Sequence, residues 1–161
     1  MYLFSKRKKI GKTMKEIQPG NMYSREHQIT DKEILLYLGF SDDANPAYIQ
    51  HDYASRTPYK RPMVPQLMLT GFLTTAVSMH LPGPGSVIKE QTIRFEKPVY
   101  HYSKVRMEMQ VTAVDREKEE VTLEAEMTDE LGDRVVTAQL VVYPPYPWKP
   151  VTQDEGTFEN F

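Results

Sequence analysis

A chain of 161 residues, 40% apolar and 26% charged, has the length of one domain with a sizeable core. Its net charge of -2 gives no general attraction to nucleic acid or to an anionic membrane, so neither is an expected partner. The absence of cysteine excludes disulfides, thiolate metal sites and a cysteine nucleophile, and suits a cytoplasmic protein.

Met1-Tyr2-Leu3-Phe4 is too short for the core of a signal peptide, and no run of about 18 apolar residues suggests a membrane-spanning helix. Residues 1–20 carry basic residues and two glycines with little periodicity, and read as an arm. The run Lys6-Arg7-Lys8-Lys9 reads as part of a solvated tail. Met22 to Ile29 predicts a first strand. Thr30-Asp31-Lys32-Glu33 has the S/T-x-x-E spacing of a capping box, followed by Ile34, Leu35, Leu38 and Phe40. A helix of about ten residues is expected there, ending near Gly39.

Ser41 to Pro46 is a turn by composition, and Tyr48 to Ser55 reads as short helical pieces. From Leu67 to Met79 the residues are apolar almost all round, with Pro65 placed where a first turn tolerates it. Such a helix needs cover on most sides. His80 to Gly85 stops it. Val87 to Phe95 predicts a strand, broken before Pro98.

Beyond that point the pattern has period two. Val105, Met107, Met109, Val111 and Ala113 alternate with polar residues, as do Val121, Leu123, Ala125 and Met127. Val136, Ala138, Leu140 and Val142 form the inward face of a strand from Arg134 to Tyr143. Asp115–Glu119 and Asp129–Asp133 have hairpin length and chemistry. A long apolar helix followed by half-buried antiparallel strands predicts an α+β fold, a curved antiparallel sheet wrapped around a long central helix. The open edge and cleft of one such unit favour a homodimer or larger homo-oligomer. Domain limits of 21–145 follow, with 146–161 a Pro- and aromatic-rich tail whose Tyr146, Trp148, Phe158 and Phe161 lie against the domain or shield a cleft.

Asp43 stands just ahead of the buried helix and is the leading candidate for polar chemistry, as a general base or as a turn cap. Asn45 reads as a backbone-bonding turn residue. His51 lies eight residues on from Asp43 and can approach it or lie at the surface. His27, His80 and His101 share no metal-like spacing, so no metal site is expected. Gly83 and Gly85, set among prolines, read as a helix-to-strand turn rather than a phosphate loop. At Pro65-Gln66-Leu67, free helix N–H groups and the helix dipole can hold a carbonyl oxygen that gains negative charge. Met68, Leu69, Phe72 and Leu73 beyond it can line an acyl tunnel or simply form core.

Asp43-Ala44-Asn45-Pro46-Ala47-Tyr48 gives all but the last residue of a D-x-N-P-x-H motif. Arg61-Pro62-Met63-Val64, Leu81 to Ser86, Gln91, Arg94-Phe95 and Pro98-Val99-Tyr100 follow at matching spacing. Over residues 20–143 the chain resembles the MaoC-like, hot-dog-fold (R)-specific enoyl-CoA hydratases and dehydratases. The resemblance implies syn addition of water to a trans-2-enoyl thioester of CoA or a carrier protein, or the reverse, without a cofactor. It places Asp43 as base and makes Asn45, Gln66, Leu67, Gly85 and Ser86 substrate-binding. Thr74 falls where the family has a small hydroxyl residue that helps to hold the aspartate.

Two positions depart from the family. Its water-activating histidine is Tyr48 here, and the His-Gly pair that begins its central helix is Pro65-Gln66. Tyrosine ionises near about 10 against about 6.5 for histidine, so Tyr48 is suited to donate rather than accept a proton. Three readings follow. One is a hydratase or dehydratase working through Asp43 with Tyr48 or His51. Another is a non-catalytic acyl-CoA-binding or assembly module. The third is a thioesterase in which Asp43 directs water at the thioester carbonyl.

Overall fold

The period-two segments form one antiparallel sheet in the computed structural model, which describes residues 10–147. Its strands are β1 (Met22–Gln28), β2 (Val87–Phe95), β3 (Lys104–Asp115), β4 (Glu120–Thr128) and β5 (Arg134–Tyr143), in the order β1-β3-β4-β5-β2. The basic run Lys6 to Lys9 and the tail aromatics Trp148, Phe158 and Phe161 lie outside the described residues. Among the described residues, no helix is long and apolar enough to cross a membrane.

Cross-strand register explains why one face is apolar. Val111 pairs with Leu123, Met109 with Ala125 and Met107 with Met127, and all six are buried. Their neighbours Glu108, Gln110, Glu124 and Glu126 point to the other face, as alternation requires. Ala113 was expected to face inward and does not. A bulge between Val111 and Ala113 inserts Thr112 as an extra residue, so Ala113 is exposed and Val114 packs on the core instead.

Four helices accompany the sheet: α1 (Asp31–Ser41), α2 (Pro46–Ile49), α3 (His51–Ser55) and α4 (Gln66–Met79). Helix α4 places Leu69, Leu73, Ala76 and Val77 in the same buried cluster as the inner residues of β3, β4 and β5. Their spacing of four, three and one residues defines a single stripe. The helix is not covered all round within the chain: Leu67 and Met79 at its two ends stay more than half exposed.

Helix α1 begins as its sequence requires. The Glu33 carboxylate accepts the Thr30 backbone N–H at 2.8 Å and also the Thr30 hydroxyl. Those bonds hold the Glu33 carboxyl below its ordinary range. Thr30→Ala removes the hydroxyl and should lower stability by about 1 kcal/mol, read as a shift in denaturant midpoint with unchanged slope. The far end differs from expectation. The helix runs through Gly39 to Ser41, and Asp42 takes the left-handed cap position with φ 53°. Aspartate enters that region more readily than most residues, so glycine is not needed there.

The segment expected to be an arm is docked on the domain from residue 10 onward. Ile17 is fully buried in the core cluster, and the Gly11 and Lys12 N–H groups donate to the Pro84 and Pro82 carbonyls at 2.9 and 2.7 Å. A Cβ at position 11 would lie 2.3 Å from the Pro82 oxygen, so only glycine permits this approach.

Candidate active site

The chain reverses at Asp42, and its left-handed backbone brings Asp43 back over the last turn of α1. Three hydrogen bonds hold the reversal. The Ser41 hydroxyl donates to the Tyr37 carbonyl at 2.7 Å and accepts the Asp43 N–H at 3.2 Å. The Tyr37 hydroxyl donates to Asp43 Oδ2 at 2.6 Å. Among the described residues, Asp43 Oδ1 accepts only a long bond, from the Asn45 N–H at 3.3 Å. The carboxylate is therefore half-buried, oriented, and still has one lightly used oxygen.

Asn45 caps α2: its Oδ1 accepts the Ala47 N–H at 2.9 Å, and Pro46 occupies the first helical position. Helix α2 carries Tyr48. The Met63 N–H donates to the Ala47 carbonyl at 3.0 Å, and the Val64 N–H donates to the Val99 carbonyl at 2.7 Å. These bonds tie α2 to the segment that leads into α4, with Pro62, Val64 and Pro65 buried. Consequently the Tyr48 phenol lies where the Gln66 backbone N–H at the start of α4 and the Asp43 charge both act on it.

The electrostatics follow from that placement. Burial pushes the Tyr48 phenol above its ordinary value, the Asp43 charge pushes it further, and the Gln66 N–H opposes both. Tyr37 is also raised, chiefly because its proton is engaged by Asp43 and secondarily by burial. Both phenols keep their protons at neutral pH. As a pair they can donate hydrogen bonds or a proton, but cannot serve as bases.

The other expected site residues distribute along α4 and beyond. Gln66 and Leu67 form its exposed first turn. The Thr74 hydroxyl donates to the Gly71 carbonyl at 3.1 Å, and no described hydrogen bond joins it to Asp43. Gly85 and Ser86 belong to the turn after the opposite end of this 14-residue helix, about 20 Å away at 1.5 Å per residue. There Gly85 has φ 96°, and a Cβ would meet Pro145 at 2.8 Å. The Ser86 hydroxyl donates to the Gly83 carbonyl at 2.7 Å.

His51 opens α3 and helps to line a cavity of about 580 Å³ with Ile34, Leu38, Arg61 and Tyr102. Neither Asp43 nor Tyr48 borders that cavity, and no described hydrogen bond or ion pair joins His51 to the carboxylate. Sequence reasoning missed Tyr37. Its only signal was a hydroxyl-bearing ring in the last full turn before an acidic reversal.

Comparison with known proteins gives the family and the fold. The family model of the MaoC like domain matches residues 13–131. An (R)-specific enoyl-CoA hydratase of Rhodospirillum rubrum is 32% identical over 113 residues, covering 70% of this chain and 78% of the relative. An (R)-specific enoyl-CoA hydratase of Aeromonas caviae is 30% identical over 110 residues, 68% of this chain and 82% of the relative. The solved structure of the (R)-hydratase from A. caviae involved in PHA biosynthesis aligns with a TM-score of 0.76 at 27% identity, over 80% of this chain and 98% of that one. The chain thus belongs to the MaoC-like domain family and has the hot-dog fold.

Proposed function

We propose that the protein is an acyl-thioester hydratase or dehydratase, acting on an enoyl group carried by CoA or a carrier protein. The observation that carries this reading is the half-buried Asp43 carboxylate, oriented by Tyr37 and with one lightly used oxygen, whose charge acts on the Tyr48 phenol together with the Gln66 N–H. The named activity of relatives at 30% identity and above supports the substrate class.

In the hydration direction, Asp43 takes a proton from water as the water oxygen bonds to C3 of the enoyl group. The C2–C3 π electrons move toward the thioester carbonyl, giving an enolate. Tyr48 then gives its proton to C2, and the proton held by Asp43 restores the phenol. One water is added and both side chains end as they began. The Gln66 N–H supports the phenolate oxygen during that exchange, as it opposes the upward push on Tyr48 at rest. Asn45 fixes the turn, and Leu67 offers the acyl chain an apolar first turn.

A homodimer belongs to the same reading. β2 is an edge strand with one unpaired side, and Val87 on it is exposed together with Leu67 and Met79 of α4. A second copy would cover them.

Purified protein mixed with crotonyl-CoA should bleach the absorbance of the conjugated thioester and release 3-hydroxybutyryl-CoA. Absorbance that decays no faster than in buffer, with CoA-linked and carrier-linked substrates alike, would remove the proposal. The replacement of the family histidine by Tyr48, a phenol that stays protonated at neutral pH, also favours a second reading, an acyl-CoA-binding module without turnover. That reading instead expects acyl-CoA to raise the melting temperature while no product forms.

A further inference from the structure

We infer that Tyr37 is a positioning residue for the hydration step: its hydroxyl fixes the Asp43 carboxylate so that Oδ1 alone serves as base. The inference rests on the hydratase reading and adds to it the group that makes a carboxylate on a turn usable.

A carboxylate on a turn has two rotatable bonds and two equivalent oxygens, so an unrestrained one points at water only part of the time. Here the equivalence is broken. Oδ2 accepts the Tyr37 O–H at 2.6 Å, within the 2.5–2.7 Å range of charge-assisted O–H···O⁻ bonds. Among the described residues Oδ1 has only the Asn45 N–H at 3.3 Å, a weak bond that leaves lone-pair density for water.

The donor is itself fixed. Tyr37 sits in the last full turn of α1, half-buried, with its carbonyl held by the Ser41 hydroxyl that also accepts the Asp43 N–H. Phenol, backbone and carboxylate thus close a ring of contacts across the left-handed Asp42. The small hydroxyl that the resemblance assigned to holding the aspartate, Thr74, is turned to the Gly71 carbonyl of its own helix. Tyr37 supplies from α1 the donor that Thr74 does not supply from α4. The raised ionisation of the Tyr37 phenol, with the Asp43 bond as its first cause, agrees with this direction of donation.

Tyr37→Phe keeps the ring and deletes the donor. A loose base loses near-attack geometry, and misplacement of that kind costs up to about 10²-fold in rate. kcat for crotonyl-CoA hydration should fall by about 10- to 100-fold while KM changes by less than about twofold. Tyr102→Phe is the matched control: it removes another Tyr–Asp bond of 2.6 Å, to Asp31 at the opposite end of α1, and should leave kcat unchanged.

If Tyr37→Phe and Tyr102→Phe both turn over at the wild-type rate, the positioning role is wrong and the hydratase reading survives. If the wild-type protein shows no turnover, both fail together. A second measurement tests the contact by itself. In protein carrying labelled tyrosine, Tyr37 should titrate above the ordinary value of about 10 and return toward it in Asp43→Asn. An unmoved Tyr37 titration would overturn the inference even if Tyr37→Phe could not be purified.

Discussion

Asp43→Asn should leave a folded protein whose hydration rate is lower by about 10²–10⁴-fold, the usual contribution of one acid–base group. The substitution is close to isosteric. An amide oxygen can still accept the Tyr37 O–H and the Asn45 N–H that now bind the carboxylate. What disappears is the ability to take a proton from water. Because Tyr48 and Tyr37 both stay protonated at neutral pH, neither can stand in as base. His51 borders a separate cavity and is no substitute either. The loss should therefore appear in kcat, with acyl-CoA affinity retained. Wild-type rates in Asp43→Asn, at unchanged melting temperature, would mean that the base lies elsewhere.

Leu73→Ala should cost about 2–5 kcal/mol of stability, the range for truncating a fully buried leucine. Leu73 has no exposed surface and lies in the stripe by which α4 enters the core cluster. Its neighbours in that stripe, Leu69, Ala76 and Val77, belong to the same helix and cannot close on a cavity without moving α4. Leu131→Ala provides the contrast. Leu131 is 87% exposed in the β4–β5 hairpin, and its removal should change stability by less than about 0.5 kcal/mol. Equal denaturant midpoints for the two variants would show that α4 is not held as described.

The strands were legible because one face of the sheet is wet and the other is not, so polarity records the pleat residue by residue. Where the pleat breaks, the record breaks too. Nothing in Val111-Thr112-Ala113 announces that Thr112 bulges, because the bulge answers to Leu123 and Thr122 on the neighbouring strand. The end of α1 was misplaced for a similar reason. Gly39 is the residue that local chemistry prefers for a left-handed cap, yet the cap falls at Asp42, where the Ser41 hydroxyl and Tyr37 hold the turn. The carboxylate of the site was readable from the D-x-N-P spacing. Its donor Tyr37, six residues earlier, was not, since that spacing matches no neighbour pair on a helix face and needs the reversal at Asp42. The approach of α2, which carries Tyr48, to the segment before α4 runs through the Met63–Ala47 backbone bond, a contact with no local signature.

That bond from Met63 to Ala47 links the Asp43–Ser55 stretch to the segment that leads into α4, and the one from Val64 to Val99 ties that segment in turn to the chain beyond β2. Every residue to which chemistry is assigned at the helix start thus hangs on a segment outside the hydrogen-bonded ladder of the sheet. Natural variation can rewrite that overhang, exchanging an imidazole for a phenol or a glycine for a glutamine, without asking the sheet beneath to change. Loss or redirection of turnover and loss of the folded state become separate events in this architecture, open to separate selection.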